Sequence, residues 1–365
     1  MTGPLSDLRV LELAALGPVP HSAMVLADLG ADVVRIDRPG ASPMAELAGS
    51  VDHVLRGRRT TTLDLKSAAG LQDLRELCRN ADVLLEGFRP GVLERMGLGP
   101  QELQELNPRL VLGRMMGWGR EGPLAMSAGH DLNYLAATGV LHALGEADRP
   151  PPVPLTLLGD YGGGSMVLVT GLLAALWERE RSGHGQVVDT AMVDGIGIIA
   201  QKMWAMRGAG TWSEERQSNL LDGGAPFYDT YTCLDGRYLA IGAIERKFFA
   251  ILLANLEIDP DTIGDQYDRA AWPGIRERIT AAVANRSRDA WAQVFEGSDA
   301  CATPVLTFSE ALQDAHARSR SAYVELDGVA QPAPAPRFSR STTTTPIPPG
   351  ARPVTVSDVL TGWVR

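Results

Sequence analysis

Cysteine is scarce, with 3 residues (Cys78, Cys233 and Cys301) in a chain of 365. They are far apart, odd in number and in no C-x-x-C spacing, which argues against a disulfide framework and a thiolate zinc site. A reducing, cytoplasmic setting is expected. Histidine is sparse too, at 6 residues, and no pair has metal-ligand spacing, so no metal is expected. Basic charge is in deficit: the formal net charge of −10 speaks against nucleic acid as a partner. A polyanionic small molecule therefore needs a local basic pocket. No apolar run reaches the roughly 18 residues of a membrane span. The start, MTGPLSDLRVLELA, has no basic segment followed by an apolar one, so neither membrane insertion nor a secretory signal is expected.

Several chemistries lack their motifs. The first strand–helix turn, ALGPVPHSA, has one glycine where dinucleotide folds carry G-x-G-x-x-G. Its prolines remove backbone N–H donors that a pyrophosphate would use. Asp37 stands where a ribose-binding acid would, but without the glycines it carries little weight. GDYGGGS (159–165) lacks the Gly-Lys-Ser/Thr of a phosphate-binding loop. No G-x-S-x-G is present, so a hydrolase elbow is unsupported.

What is present is an apolar fraction of 45% and a charged fraction of 21%, as in globular proteins, with length for about two domains. Short β-rich runs alternate with helical patterns over the first 120 residues: strands at 9–14, 31–37, 60–66, 82–88 and 110–118, with helices at 21–30 and 67–81 between them. That alternation predicts a parallel sheet with helices on both faces. Residues 160–181 read as a long apolar helix, and 188–208 as another helix or two. The texture then changes. FYDTYTC (227–233) and RYLAIGAI (237–244) make a hairpin, followed by helices at 247–256 and 272–297. The Pro-, Ala- and Thr-rich 325–352 reads as an extended return to the body of the protein. The expected fold is α/β: a Rossmann-like large domain over 1–220, with connecting helices near 186–220, a small α+β domain over 221–317, and a returning segment, 318–365.

Basic residues mark the ends of predicted strands. Arg38 follows the second; Arg56, Arg58 and Arg59 precede the third and Lys66 ends it; Arg89 follows the fourth, with Arg95 beyond. Ligands of open α/β sheets bind at the carboxyl ends of strands, and guanidinium forks suit phosphate oxygens. Either these groups converge on a polyanionic ligand or they form a solvated rim.

Three positions carry candidate proton chemistry. In AGHDLNYLAATG (128–139), His130 adjoins Asp131. One reading is a surface helix capped by Asp131; the other is a base aimed at a substrate. Asp160 precedes a glycine-led helix, and Glu245 ends the hairpin. A weak carbon acid can lose its proton to a base on one face and regain one on the other, if a neutral base faces a protonated acid. His130 suits the first role. Asp160, with Glu245 near it, suits the second, because a neighbouring carboxylate raises a carboxyl pKa.

The stretches GPLSDLRVLELAALGPVPHSAMVLADLGADVVRIDRP, LLEGFRPGVLERMGLGP, GHDLNY, GDYGGGSM, GQVVDTAMVDG and GGAPFYDTY closely resemble family III CoA transferases, the group that includes the α-methylacyl-CoA racemases. The likeness runs in order through nearly the whole chain and is nearest to the bacterial racemases, since His130 precedes the aspartate. The resemblance implies an interlocked homodimer, 2-methylacyl-CoA thioesters as substrates, and 1,1-proton transfer through an enolate with no metal or redox cofactor. It implies His130 and Asp160 as the opposed bases and Glu245 as the small-domain acid that interacts with Asp160. For CoA it implies Arg38, the stretch Leu63, Asp64, Leu65 and Lys66, then Gly87, Phe88, Arg89 and Arg95, and Gly129, Asp131, Leu132, Asn133 and Tyr134. Transferases of the family use the aspartate at Asp131 as an acyl-accepting nucleophile, so a CoA transferase is the alternative. Two departures stand out. Thr156 replaces an Asn, offering a hydroxyl but no amide NH₂, and 41–55 matches poorly at the edge of the expected CoA pocket.

Overall fold

Parallel strands cannot be joined by tight turns, so each strand–helix–strand repeat in the first 120 residues carries the chain back over the sheet. The computed structural model describes residues 3–40, 52–343, 345–350 and 352–363; most of the divergent 41–55 therefore lies outside the described residues. Six strands form the main sheet: β1 (Arg9–Leu13), β2 (Asp32–Asp37), β3 (Arg58–Thr62), β4 (Val83–Glu86), β5 (Val111–Met116) and β6 (Val187–Ala191). Their order is β3-β2-β1-β4-β5-β6, and every pairing is parallel. This is the order of dinucleotide-binding folds, in which a ligand crevice opens where the order reverses, here between β1 and β4. The expected parallel sheet is present, with five strands in the expected places. The sixth corrects the helical expectation for VVDTA. Its β-branched residues extend at the sheet edge before the helix Met192–Ile199 begins.

The sheet interior is aliphatic, with Leu11, Leu13, Val34, Ile36, Leu84 and Leu112 each no more than 3% exposed. The helix Ala68–Asn80 buries Leu74, Leu77 and Cys78, spaced three and four apart on one face, and the Ser67 side chain caps it by accepting the Gly70 N–H at 3.0 Å. Charged residues also enter the sheet in register. Glu12 faces Arg35 across β1 and β2, and Glu86 faces Arg114 across β4 and β5. The segment 352–354 pairs with Thr60 at the β3 edge, so the returning chain covers an otherwise open strand.

A ten-residue π-helix, Leu157–Met166, runs into the helix Val167–Ser182. The continuous stretch Leu157–Ser182 is long and apolar enough, by length and composition, to cross a bilayer, which corrects the reading that no such run exists. Its Leu168, Val169, Leu172 and Ala175 are instead buried in the first unit, with Leu168 and Leu172 beside Gly113 of β5.

Packing divides the chain into two compact units. The first comprises 1–138, 154–201 and 318–365; the second comprises 139–153 and 202–317. The second holds an antiparallel sheet of β7 (Tyr228–Thr232), β8 (Tyr238–Gly242) and β9 (Ala302–Pro304). Its core is rich in aromatics: Phe227 meets Phe249, Tyr267 and Trp272 edge-on, and Trp291 stacks on Phe295. All three cysteines are free.

Candidate active site

The helix Asp131–Ala137 starts one residue earlier than a cap at Asp131 requires. His130 is the N-cap, in extended conformation, and its backbone N–H donates to Asn133 Oδ1 at 3.0 Å. The Asp131 carboxylate is therefore not spent on capping its own helix. It is buried, and its Oδ1 accepts the backbone N–H of Asp160 at 2.6 Å. Its Oδ2 is also buried and has no hydrogen-bond partner. Gly159 makes this approach possible, since a Cβ there would strike Asp131 Oδ1.

Asp160 lies in the first turn of the π-helix, a rare backbone form often found at functional sites. Its carboxylate rests against Gly17, in the turn between β1 and the next helix. A Cβ on Gly17 would lie 2.8 Å from Asp160 Oδ2, and φ of +66° disfavours any side chain there. The lone glycine of the first strand–helix turn thus makes room for an acid rather than a pyrophosphate. Gly17 is also the N-cap of the helix Pro18–Asp28. Pro18 and Pro20 have no N–H, and the His21 N–H goes to Gly17 O, so this helix start offers few donors to solvate a carboxylate.

Burial, and then the Asp131 charge beside it, push the Asp160 carboxyl up to about 6, while His130 pulls the other way. Within this unit the carboxylate beside Asp160 is Asp131, not the Glu245 expected from the sequence. Glu245 lies in the second unit as the N-cap of the helix Arg246–Asn255, where its carbonyl accepts the Phe248 and Phe249 N–H groups. Tyr134 lies near Asp160. It is buried, its hydroxyl donates to Gly129 O at 2.5 Å, and its ring meets Trp118 edge-on. Burial and the Asp160 charge raise its pKa. His130, Asp131, Tyr134 and Asp160 are thus brought into one cluster.

The basic residues separate into two kinds. Arg56 pairs with Asp28, Arg58 with Glu12 and Arg59 with Asp32, so these three are structural. Arg38, Lys66, Arg89 and Arg95 are exposed and form no ion pair with a described residue. Arg38 follows β2, Lys66 follows β3 and Arg89 follows β4, all at the carboxyl edge of the sheet. Around them, Leu63 is buried and Leu65 and Phe88 are half-buried. Asp64 shapes a turn by accepting the Lys66 N–H at 3.0 Å, and the Phe88 N–H donates to Glu86 Oε2 at 2.6 Å. Gly87 is exposed, with Val19 and Ala15 close to where its Cβ would be, so the chain after β4 lies tightly against the chain after β1. Leu132 and Asn133 are exposed on the helix that follows His130. Among the described residues, no group of three or more His, Cys, Asp or Glu is placed to hold a metal ion.

The model of CoA-transferase family III matches residues 5–355. The chain belongs to CoA-transferase family III. It is 44% identical over 350 residues to the α-methylacyl-CoA racemase of Mus musculus, covering 95% of this chain and 89% of that one. It is 42% identical over 333 residues to the Homo sapiens protein of the same name, covering 90% and 86%. Among solved structures, a CAIB/BAIF family protein from Brucella suis superposes with a TM-score of 0.84 at 25% identity, covering all of both chains. The family also contains transferases: succinyl-CoA–D-citramalate CoA-transferase of Chloroflexus aurantiacus is 32% identical over 338 residues, covering 88% of this chain and 83% of that one.

Sequence reasoning missed three members of this neighbourhood. His21 Nδ1 lies 2.6 Å from Ser165 Oγ, and the His21 ring stacks on Tyr161 at 4.1 Å and 17°. The available signal was the abnormal first turn itself, where a histidine follows two prolines in place of the dinucleotide glycines. Thr156, the departure from the racemase pattern, is the N-cap of the π-helix, and its carbonyl accepts the Tyr161 N–H at 3.3 Å.

Proposed function

We propose that this family III protein interconverts the (R) and (S) epimers of 2-methylacyl-CoA thioesters, with His130 and Asp160 as its two bases. From one epimer His130 takes the α-proton, and the C–H electron pair moves onto the thioester oxygen to form an enolate. As the carbonyl re-forms, the Asp160 carboxyl delivers a proton to the opposite face of the same carbon. From the other epimer Asp160 takes the proton and the protonated imidazole returns one. One proton leaves and one arrives, and no electrons are gained or lost.

The observation that carries this reading is the carboxyl pushed to about 6 beside His130. A group titrating there exists in both acid and base forms near neutral pH, which a two-direction proton transfer needs. The acyl-CoA named in the racemase relatives fits the unpaired cations at the strand ends. We assign Arg38, Leu63 to Lys66, Gly87 to Arg89, Arg95 and Gly129 to Tyr134 to the CoA side. We further propose an interlocked homodimer in which Glu245 of the small domain completes the surroundings of Asp160, and a cytoplasmic location in keeping with the free thiols.

The test is exchange in deuterium oxide. A single-epimer 2-methylacyl-CoA should gain deuterium at the α-carbon and lose optical purity. Replacing Asp160 with Asn or His130 with Ala should cut turnover by about 10²–10⁴. Failure of the unmodified protein to label the α-carbon, with CoA passing between carboxylic acids instead, would transfer the assignment to an Asp131 nucleophile.

A further inference from the structure

The catalytic acid of the proposed reaction is held on a π-helix, and the fold must set where that helix lies to within a fraction of an ångström. The helix Pro18–Asp28 meets it at successive points. Gly17, its N-cap, lies against the Asp160 carboxylate. Pro18 packs beside Gly164. His21 stacks on Tyr161, the residue next to Asp160, while its Nδ1 shares a hydrogen bond with Ser165 Oγ at 2.6 Å. Ser22, fully buried, donates to Pro18 O at 2.8 Å and lies 3.2 Å from the same Ser165 hydroxyl. Ser165 follows Asp160 by five residues, the hydrogen-bond interval of a π-helix. One imidazole therefore touches the π-helix both immediately after Asp160 and one turn beyond it.

We propose that His21 is a positioning residue for Asp160: by gripping Tyr161 and Ser165 together, it fixes the acid against Gly17 and so sets the proton transfer on that face of the substrate. This rests on the racemase reading. The chemistry asks for a neutral ring here. Burial, and then the charges of Arg56 and Arg58, hold the His21 pKa down at about 4, so the imidazole serves as an uncharged hydrogen-bonding plate. A cation next to Asp160 would instead favour the carboxylate and weaken it as an acid. Arg56 and Arg58 are themselves tied to Asp28 and Glu12.

A residue that only stabilises the fold would slow both directions of exchange alike. A residue that places Asp160 should slow labelling of one epimer more than the other, because each epimer loses its proton to a different base. The experiment measures early deuterium wash-in at the α-carbon from each pure epimer, in the full-length unmodified protein and in His21→Phe, His21→Asn and Ser165→Ala. His21→Phe keeps a ring on Tyr161 and loses the Ser165 bond; His21→Asn keeps a hydrogen-bonding atom near the Nδ1 position. Expected are a loss of about ten- to hundredfold confined to the epimer served by Asp160 in His21→Phe, as for an ångström-scale misplacement, a similar loss in Ser165→Ala, partial rescue in His21→Asn, and an unchanged KM. Equal losses on both epimers, or no loss, in variants that remain folded by circular dichroism overturn the positioning role. If His21→Phe does not fold, the Ser165→Ala and His21→Asn pair decides by the same criterion. No label in the unmodified protein overturns the racemase reading instead.

Discussion

Two carboxylates of the first unit, Glu12 and Asp160, have neighbours of opposite sign. Glu12, fully buried in β1, is held between Arg35 and Arg58, each at 2.5 Å. Asp160, half-buried at the start of the π-helix, faces Asp131 and a glycine, with prolines where donors would be. The first arrangement satisfies a charge; the second leaves one under-solvated and ready to accept a proton. Burial alone does not distinguish structure from chemistry. What distinguishes them is whether the surroundings complete the charge.

The sharpest way to break that contrast is at Glu12. Glu12→Ala leaves two buried guanidiniums without their shared partner, and a loss of about 3–5 kcal/mol is expected in a denaturant titration. A loss under about 1 kcal/mol would mean the strand arginines find other partners and the contrast is false. The next test is Asp131→Asn, which keeps an acceptor for the Asp160 N–H but removes the charge. Asp160 should then titrate lower, so wash-in from the epimer it deprotonates should persist to lower pH, read from the acid limb of the pH–rate profile. Stability has a matching sign. With its folded pKa raised from 3.8 to about 6, Asp160 costs stability when ionised. The cost is fully present above about pH 6 and is relieved as pH falls from there through the ordinary carboxylate range. Asp131→Asn should therefore be more stable than the unmodified protein at pH 7 to 8, and the gain should shrink on acidification. The smallest effect sharpens the contrast from the cation side: Arg38→Ala, at an exposed and unpaired site, should raise KM for acyl-CoA by about fivefold with kcat near normal.

The parallel sheet was legible because its strands are short, β-rich and separated by helical periods; β6 was not, since five residues running into a helix give no period of their own. The chemistry of His130 and Asp160 was legible as motifs, and their pairing through the family resemblance; the part of Asp131 beside them was not. Sequence reading offered Asp131 as a cap; the helix begins one residue earlier than that cap requires, and the Asp131 carboxylate goes to the Asp160 N–H. The strand-end arginines looked alike in sequence. Only packing separated Arg56, Arg58 and Arg59, whose partners Asp28, Glu12 and Asp32 come from distant positions, from Arg38, Lys66 and Arg89, which form no ion pair with a described residue.

By itself the sequence determined the α/β class, the family and the identities of the groups able to move a proton, because periodicity and motif chemistry are local and survive without knowledge of contacts. The environment of those groups was decided by tertiary structure alone. A carboxyl becomes an acid near neutral pH through what surrounds it, and the residues surrounding Asp160 (Gly17, Asp131 and the His21–Tyr161 stack) meet only when the first strand–helix turn and the π-helix close on each other.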